Sequence, residues 1–159
     1  FERVLDVPDD IEARGAMLLG AAYAGIAIEN SMLGAAHSCA NPLTAMFGTV
    51  HGIAVGSMLP HVVRFNAGDP TAAELYRYLL LHAGLVERGA ETDQCVSVLC
   101  EKLEQCSKRA GHPAKLADAG VTANSVPELA AMAAKQWTAT FNPRTISEDD
   151  FAELYCGAL

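Results

Sequence analysis

The order of hydrophobic and polar positions along the chain predicts helices almost throughout. Hydrophobic residues recur at helical spacing in residues 71–83 and 91–110, and an acidic start signal at 147–150 predicts a last helix over 148–157. Residues 11–33 are apolar around most of a helix circumference, which predicts a central helix buried on nearly all sides. No stretch alternates as a half-buried β-strand would. These patterns predict an all-α domain.

One segment, residues 30–63, contains no Asp, Glu, Lys or Arg and yet holds three histidines, His37, His51 and His61. A segment without charge is expected to be buried. A break at 48–50 predicts that the segment forms two helices, 37–47 and 51–65, joined by a short turn. The sequence therefore places histidines in what should be the interior of the domain.

His37 and His51 lie among small residues, where a bulky group can approach the backbone. A histidine taken out of water needs a partner, which is a carbonyl, a carboxylate or a metal ion. The two residues meet only if the turn at 48–50 brings successive helices together. Two imidazoles are fewer than the three or four protein ligands of a tight site. The spacing leaves two interpretations open: half of a metal site, or buried histidines bonded to carbonyls.

Composition narrows the classes of function. A chain of 159 residues suits one domain, and a net charge of −8 without any basic run argues against a nucleic-acid partner. The least charged stretch is interrupted by Gly and Pro, so no membrane span or membrane partner is expected, and no signal peptide is visible. Five cysteines, an odd number, fit reduced thiols. We expect a cytoplasmic protein.

Residues 24–66 resemble the signature of the iron-containing (group III) alcohol dehydrogenases, which has the form AGxAFxNxxxGxxHxxAHxLGxxxxxPHGxxNAxxLPHVxxFN. The matching residues are Ala24, Gly25, Asn30, Gly34, His37, Ala40, Leu43, His51, Gly52, Leu59, Pro60, His61, Val62, Phe65 and Asn66. The similarity continues towards both ends of the chain. It includes Asn142, Pro143 and Arg144, which are followed by an acidic helix.

The resemblance implies a helical bundle like the C-terminal domain of the iron-containing alcohol dehydrogenase and dehydroquinate synthase-like fold, with residues 1–159 as a single helical metal-binding domain. It implies that His37 and His51 are two of four protein ligands to a divalent metal, iron or alternatively zinc. The other two ligands, an Asp and a His four residues apart, would lie on a helix before Phe1. The nucleotide-binding domain is also expected outside this chain, which has no glycine-rich turn for a pyrophosphate.

The sequence departs from the family pattern at several positions. Asn41 stands where the pattern has a histidine, and an amide cannot titrate near neutral pH, so the resemblance does not extend to a proton relay there. Ile28 replaces a Phe, Val50 a Pro and Val55 an Asn. We expect Ile28, Asn41 and Phe47 to line the substrate pocket, and no catalytic residue beyond the metal ligands is assigned.

The activity implied for the intact enzyme is hydride transfer between a small alcohol or aldehyde and NAD or NADP, in a homo-oligomer. One alternative is a related reductase on the same scaffold, acting on maleylacetate, glycerol or a hydroxyacid. A carboxylate substrate would need a cation, and residues 30–63 supply none, which favours a neutral alcohol. The other alternative is an isolated, inactive helical fragment or interaction domain, and we expect the chain alone to be inactive.

Overall fold

The computed structural model describes all of residues 1–159 as helices and their connections, without a β-strand. The α-helices are α1 (Glu2–Asp6), α2 (Ile11–Ser31), α3 (Ala35–Phe47), α4 (His51–Asn66), α5 (Pro70–His82), α6 (Thr92–Arg109), α7 (Val126–Ala134) and α8 (Glu148–Ala158). Short 3-10 turns occur at Leu116–Ala119, Ala123–Ser125 and Trp137–Phe141. The all-α prediction is confirmed. The predicted helices at 37–47, 51–65, 71–83, 91–110 and 148–157 correspond to α3, α4, α5, α6 and α8.

Helices α3 and α4 form the centre of the core. They pack against each other, and α7 and α8 cover them. Leu43 of α3, Met58 of α4, Leu129 of α7 and Phe151 of α8 are all fully buried. Alanines on the inner face of α3 let the helix axes approach closely, because a methyl group fills little space between them. The prediction that the uncharged segment is interior is confirmed for these inner faces.

A smaller core lies on the other side of α4, where α6 packs against both α4 and α5. Val63, Val96 and Cys100 are its buried members, and Leu59 of α4 contacts both cores. Cys100 Sγ donates to the backbone oxygen of Pro60 at 3.5 Å. This bond uses a carbonyl in the helix that carries His51. The apolar face of the helix predicted over residues 91–110 therefore does pack against other helices, α4 and α5.

The prediction that residues 11–33 form a buried central helix is wrong for this chain. Helix α2 does form there, but none of its residues is buried, and Ile11 and Leu18 are 78 % and 74 % exposed. Its packing partner within the chain is the short α1. By length and composition alone, α2 would pass as a membrane span, a description that core helices of soluble proteins also meet. A helix that is apolar on nearly all sides is expected to be buried. Within residues 1–159, no other element covers α2 enough to bury any of its residues.

Helix α5 shows the same discrepancy on one face. The sequence pattern aligns Leu75, Tyr78 and Leu79 as an apolar stripe, but these residues are 62 %, 50 % and 55 % exposed. The buried residues of α5 are instead Ala72, Ala73 and Leu80. Helix α5 does pack against α6, but the three residues of the predicted stripe remain at least half exposed.

The C-terminal segment ties the ends of α3 and α4 together through Asn142. Its Oδ1 accepts from the backbone N–H of Ala35 at 3.2 Å, and its Nδ2 donates to Asn66 Oδ1 at 2.6 Å. Arg144 follows, donating to the backbone oxygen of Phe65 at 2.7 Å and placing its guanidinium 4.0 Å from the centre of the Phe65 ring. These contacts hold the first turn of α3 against the last turn of α4.

Tyr155 anchors α3 to α8. Its side chain is fully buried, and its hydroxyl donates to the backbone oxygen of Cys39 at 2.8 Å. Burial raises the pKa of Tyr155 far above its usual value, so the hydroxyl keeps its proton and remains a donor. The bond satisfies a helix carbonyl only two residues from His37, and so fixes the part of α3 that carries this histidine.

The Tyr155→Phe variant should lower the free energy of unfolding by about 1–2 kcal/mol, because the Cys39 carbonyl is left buried without its partner. The measurement is the urea midpoint of the variant against the wild-type chain. Tyr23→Phe is the matched control, because Tyr23 is 62 % exposed and should tolerate the same change. Equal midpoints for all three proteins would show that the buried bond is not stabilising.

The connection between α3 and α4 depends on a left-handed residue. Gly48 ends α3 with a φ of +67°, and its N–H bonds back to the Thr44 carbonyl at 3.1 Å. A Cβ placed on Gly48 would meet nothing within 4 Å. Glycine is therefore required here by backbone conformation alone, without any steric contact.

The Gly48→Ala variant should lose about 1–2 kcal/mol of unfolding free energy, since an L-residue pays that amount in the left-handed region. Gly56→Ala is the control, because Gly56 lies within α4 with equally open space around its Cβ position. That change should be neutral or stabilising by up to about 1 kcal/mol. Thermal or urea unfolding of both variants compares the two glycines, and equal effects would refute the conformational argument.

Candidate metal centre

The structure brings His37 and His51 together. His37 lies in the first turn of α3 and His51 is the first residue of α4. Their ring centroids are 5.4 Å apart, with the ring planes inclined at 48°. Two imidazoles from successive helices therefore form a pair. The turn at 48–50 brings these helices together, which was the condition for the two residues to meet.

The pair spans the link at 48–50. Ten residues of helix separate His37 from Phe47, a rise of about 15 Å. Four residues of nearly extended chain, from Phe47 to His51, reach about 13 Å. The left-handed Gly48 ends α3, and Val50, with φ −56° and ψ 127°, is extended before α4 begins. A link of this reach allows the His51 ring to approach the His37 ring.

The surroundings of the pair differ from what the uncharged segment predicted. His37 is half-buried, whereas His51 is exposed, so the expectation that both rings lose their water is wrong for His51. The interpretation as histidines bonded to carbonyls is also wrong. A ring bond of this kind is found at His82, whose Nδ1 lies 2.8 Å from the Tyr78 oxygen, and neither ring of the pair makes one. The ring nitrogens of the pair remain available to a ligand.

The donor set fits part of a metal site. Burial, and to a lesser extent repulsion from the His51 charge, lowers the pKa of His37, which favours a neutral ring with a free lone pair. Neutral imidazoles suit divalent iron and zinc. No group of three or more His, Cys, Asp or Glu side chains gathers in this chain, however. The pair thus supplies two ligands, and any further protein ligands would have to come from outside these 159 residues.

The three residues expected to line a substrate pocket lie in different places. Asn41 is one helical turn after His37 in α3, on the same face. Phe47 is the last residue of α3 and packs against the principal core. Ile28 is 38 % exposed on α2, outside the pair of helices that carries the histidines. Of the three, Asn41 is the one that its helix position places beside the pair.

Two cavities lie away from the histidine pair. One of about 430 Å³ surrounds His61 between α4, α6 and the end of α8, and the other lies at Tyr78 and His82. Burial lowers the pKa of His61, and the ring lies close to Gly157, where a Cβ would come within 3.3 Å of its Nδ1. The cavity at His61 does not include either histidine of the pair.

Sequence reasoning missed three polar residues near the site. Thr44 lies in the last turn of α3 and Thr49 in the link between α3 and α4, and the hydroxyl oxygens of both are buried without a hydrogen-bond partner. Gln136 accepts a hydrogen bond from Asn41 at 2.9 Å. Thr44 could have been noticed by its spacing of seven from His37. Gln136 carries no local signal, because it lies 95 residues away in sequence.

A family model matches the whole chain. The model for the Fe-containing alcohol dehydrogenase family, C-terminal, covers residues 1–159. Lactaldehyde reductase from Escherichia coli K12 is 35 % identical over 149 residues, which are 94 % of this chain and 38 % of the relative. The NAD-dependent methanol dehydrogenase of Bacillus methanolicus is 30 % identical over 151 residues, 95 % of this chain and 39 % of the relative.

Solved structures agree. A 1,3-propanediol oxidoreductase superposes with a TM-score of 0.85 at 28 % identity, covering 99 % of this chain and 41 % of the other. An alcohol dehydrogenase from Oenococcus oeni gives a TM-score of 0.86 at 25 % identity with the same coverage. The chain thus spans about two fifths of the length of these proteins. On the sequence match over all its residues and the shared helical fold, the chain belongs to the iron-containing alcohol dehydrogenase family, in its C-terminal part.

Proposed function

We propose that this chain is the metal-holding domain of a dehydrogenase that interconverts a small alcohol and its aldehyde, with NAD or NADP as the hydride carrier. The observation that carries the proposal is the pair of imidazoles, 5.4 Å apart and free of other hydrogen bonds. Family membership supports it. The relatives are named for lactaldehyde, methanol and 1,3-propanediol, which are small alcohols and aldehydes.

The two histidines and Asn41 have different roles in the proposed function. His37 and His51 would hold a divalent cation, iron or zinc, through neutral ring nitrogens, together with ligands from outside this chain. When bound, such a cation supplies Lewis-acid chemistry that lowers the pKa of an alcohol hydroxyl. Asn41 can form hydrogen bonds but cannot act as an acid or a base near neutral pH. The proton released from the alcohol therefore leaves to solvent or to a group outside residues 1–159.

The substrate is proposed to be neutral. Ile28, Asn41 and Phe47 would contribute its pocket wall, and the nicotinamide would be held by residues outside this chain. Residues 30–63 have no cation to pair with a carboxylate. A related reductase for maleylacetate or a hydroxyacid would have to take that cation from elsewhere in the enzyme, whereas glycerol would not need it.

Replacing either member of the pair should remove the metal. His37→Ala or His51→Ala in the full-length protein should lower the metal retained per chain at least tenfold, because each change deletes one of only two ligands on this domain. Metal content after gel filtration, measured by plasma mass spectrometry, tests the effect, and turnover should fall with it.

His82→Ala is the matched control, since His82 is bonded to the Tyr78 carbonyl on α5 and lies outside the pair. It should retain metal at the wild-type level. Unfolding curves of the metal-free proteins show whether each variant is folded. A folded His51→Ala protein that keeps stoichiometric metal would contradict the ligand role.

The exposed apolar surface of α2 supports a second proposal, that this domain associates through that helix. Ile11 and Leu18 lie seven residues apart, on one face, and both are more than 70 % exposed. A patch of this kind is buried by another part of the protein or by a second copy. A homo-oligomer, or an interaction role for the chain by itself, would use the same surface.

The isolated 159-residue chain should therefore be larger than 16.8 kDa in light scattering. The double variant Ile11→Lys and Leu18→Lys should return it to monomer size, because two ammonium groups cannot be buried in an apolar contact. Leu75→Lys with Leu79→Lys on α5 is the matched control and should leave association unchanged. A wild-type chain that is monomeric at all concentrations would refute the proposal.

A further inference from the structure

The cavity around His61 is large enough for a small molecule and lies apart from the histidine pair. Its volume is about 430 Å³, within the range of small-ligand sites, and its walls are formed by α4, α6, the connection at 113–115 and the end of α8. Its polar side chains are those of Ser57, His61, Glu104, Ser107, Lys108 and Lys115. A ligand in this cavity would therefore occupy a second site on the domain.

Three of these side chains make no hydrogen bond within the chain. A serine hydroxyl inside a helix can bond the carbonyl four residues before it, as Ser97 Oγ does to the Asp93 oxygen at 3.1 Å. Ser57 in α4 and Ser107 in α6 also lie inside helices but make no such bond, and the His61 ring nitrogens have no partner either. None of their polar atoms is among the fully buried ones that lack a partner, so solvent or a ligand in the cavity reaches them.

Two ammonium groups at the cavity have no carboxylate partner. The basic residues that form salt bridges in this chain are Arg3, Arg64, Arg77, Lys102 and Arg109, and neither Lys108 nor Lys115 is among them. The one carboxylate side chain at the cavity, Glu104, accepts from Arg64 at 2.6 Å, so its charge is offset locally. The cavity therefore presents two unpaired positive charges in a chain whose net charge is −8.

The unpaired groups can all donate, so they suit an anion that is rich in acceptors. Burial, and to a lesser extent the Arg64 charge, lowers the pKa of His61, so its ring is neutral near pH 7 and offers one N–H. A phosphate group carries a charge of about −1.5 to −2 and accepts through several oxygens around one centre, and lysine binds it as a point charge. A planar carboxylate instead matches the fork of an arginine, and Arg64, one turn after His61, is already paired with Glu104.

We propose that this cavity binds a small ligand through a phosphate group. Lys108 and Lys115 supply the charge, and Ser57, Ser107 and His61 supply the neutral hydrogen bonds. The phosphate is either the free ion or part of a monoester. The volume favours a monoester, because a free ion would leave most of the 430 Å³ to water molecules of about 30 Å³ each. The inference does not rest on the proposed function, since the cavity includes neither His37 nor His51.

The test is a calorimetric titration of the full-length protein with ethyl phosphate, which has no alcohol hydroxyl that a dehydrogenase could oxidise. At constant ionic strength the wild type should bind it with a Kd of about 1 mM or lower. Lys108→Gln and Lys115→Gln should each weaken binding at least about fivefold, because each removes one charge-assisted bond. Lys135→Gln is the matched control and should bind as the wild type does, since Lys135 is exposed, forms no salt bridge and lies outside the cavity.

Inorganic phosphate and malonate are compared under the same conditions. Tighter binding of ethyl phosphate than of inorganic phosphate identifies a monoester as the ligand, and equal or tighter binding of inorganic phosphate identifies the free ion. The absence of saturable binding of both, equal binding of malonate, or an equal loss in Lys135→Gln would overturn the inference. The folded His51→Ala protein should bind ethyl phosphate as the wild type does, whatever its metal content. Loss of binding in that variant would place the phosphate at the metal centre and would also overturn the inference.

Discussion

The approach of two histidines from successive helices is the contact on which the site depends. The imidazoles of His37, in the first turn of α3, and His51, the first residue of α4, lie 5.4 Å apart across the link at 48–50. The link contains one residue with a left-handed conformation, Gly48, at the point where α3 ends.

The C-terminal part of the chain keeps α3 in place for this purpose. Tyr155 bonds the Cys39 carbonyl, and the Ser38 hydroxyl lies 2.8 Å from that of Thr138. Asn142 Oδ1 accepts from the N–H of Ala35, the first residue of α3, and its Nδ2 donates to Asn66 at the end of α4. These contacts join residues that are between 76 and 116 positions apart, and they lie near the turn that carries His37. The first turn of α3 is therefore held in place by residues of the C-terminal part of the chain.

The histidine pair and helix α2 both lack partners within residues 1–159. The histidine pair offers two ligands where a tight site has three or four, and α2 leaves an apolar circumference uncovered. The chain spans about two fifths of the length of its relatives. Residues outside 1–159 would complete both features under the proposed function, in which this domain holds the metal and the larger protein carries out hydride transfer.

Local periodicity in the sequence by itself predicts most of the helices, because helix formation depends on neighbours three and four residues away. Spacing and start signals predict α5, α6 and α8 in this way. The pair of histidines was also identified from sequence, through its register in the family signature. Only the tertiary structure decided the rest. The exposure of α2, the open position of His51 and the bond between Asn41 and Gln136 depend on which distant surfaces meet, and no local pattern encodes such long-range packing.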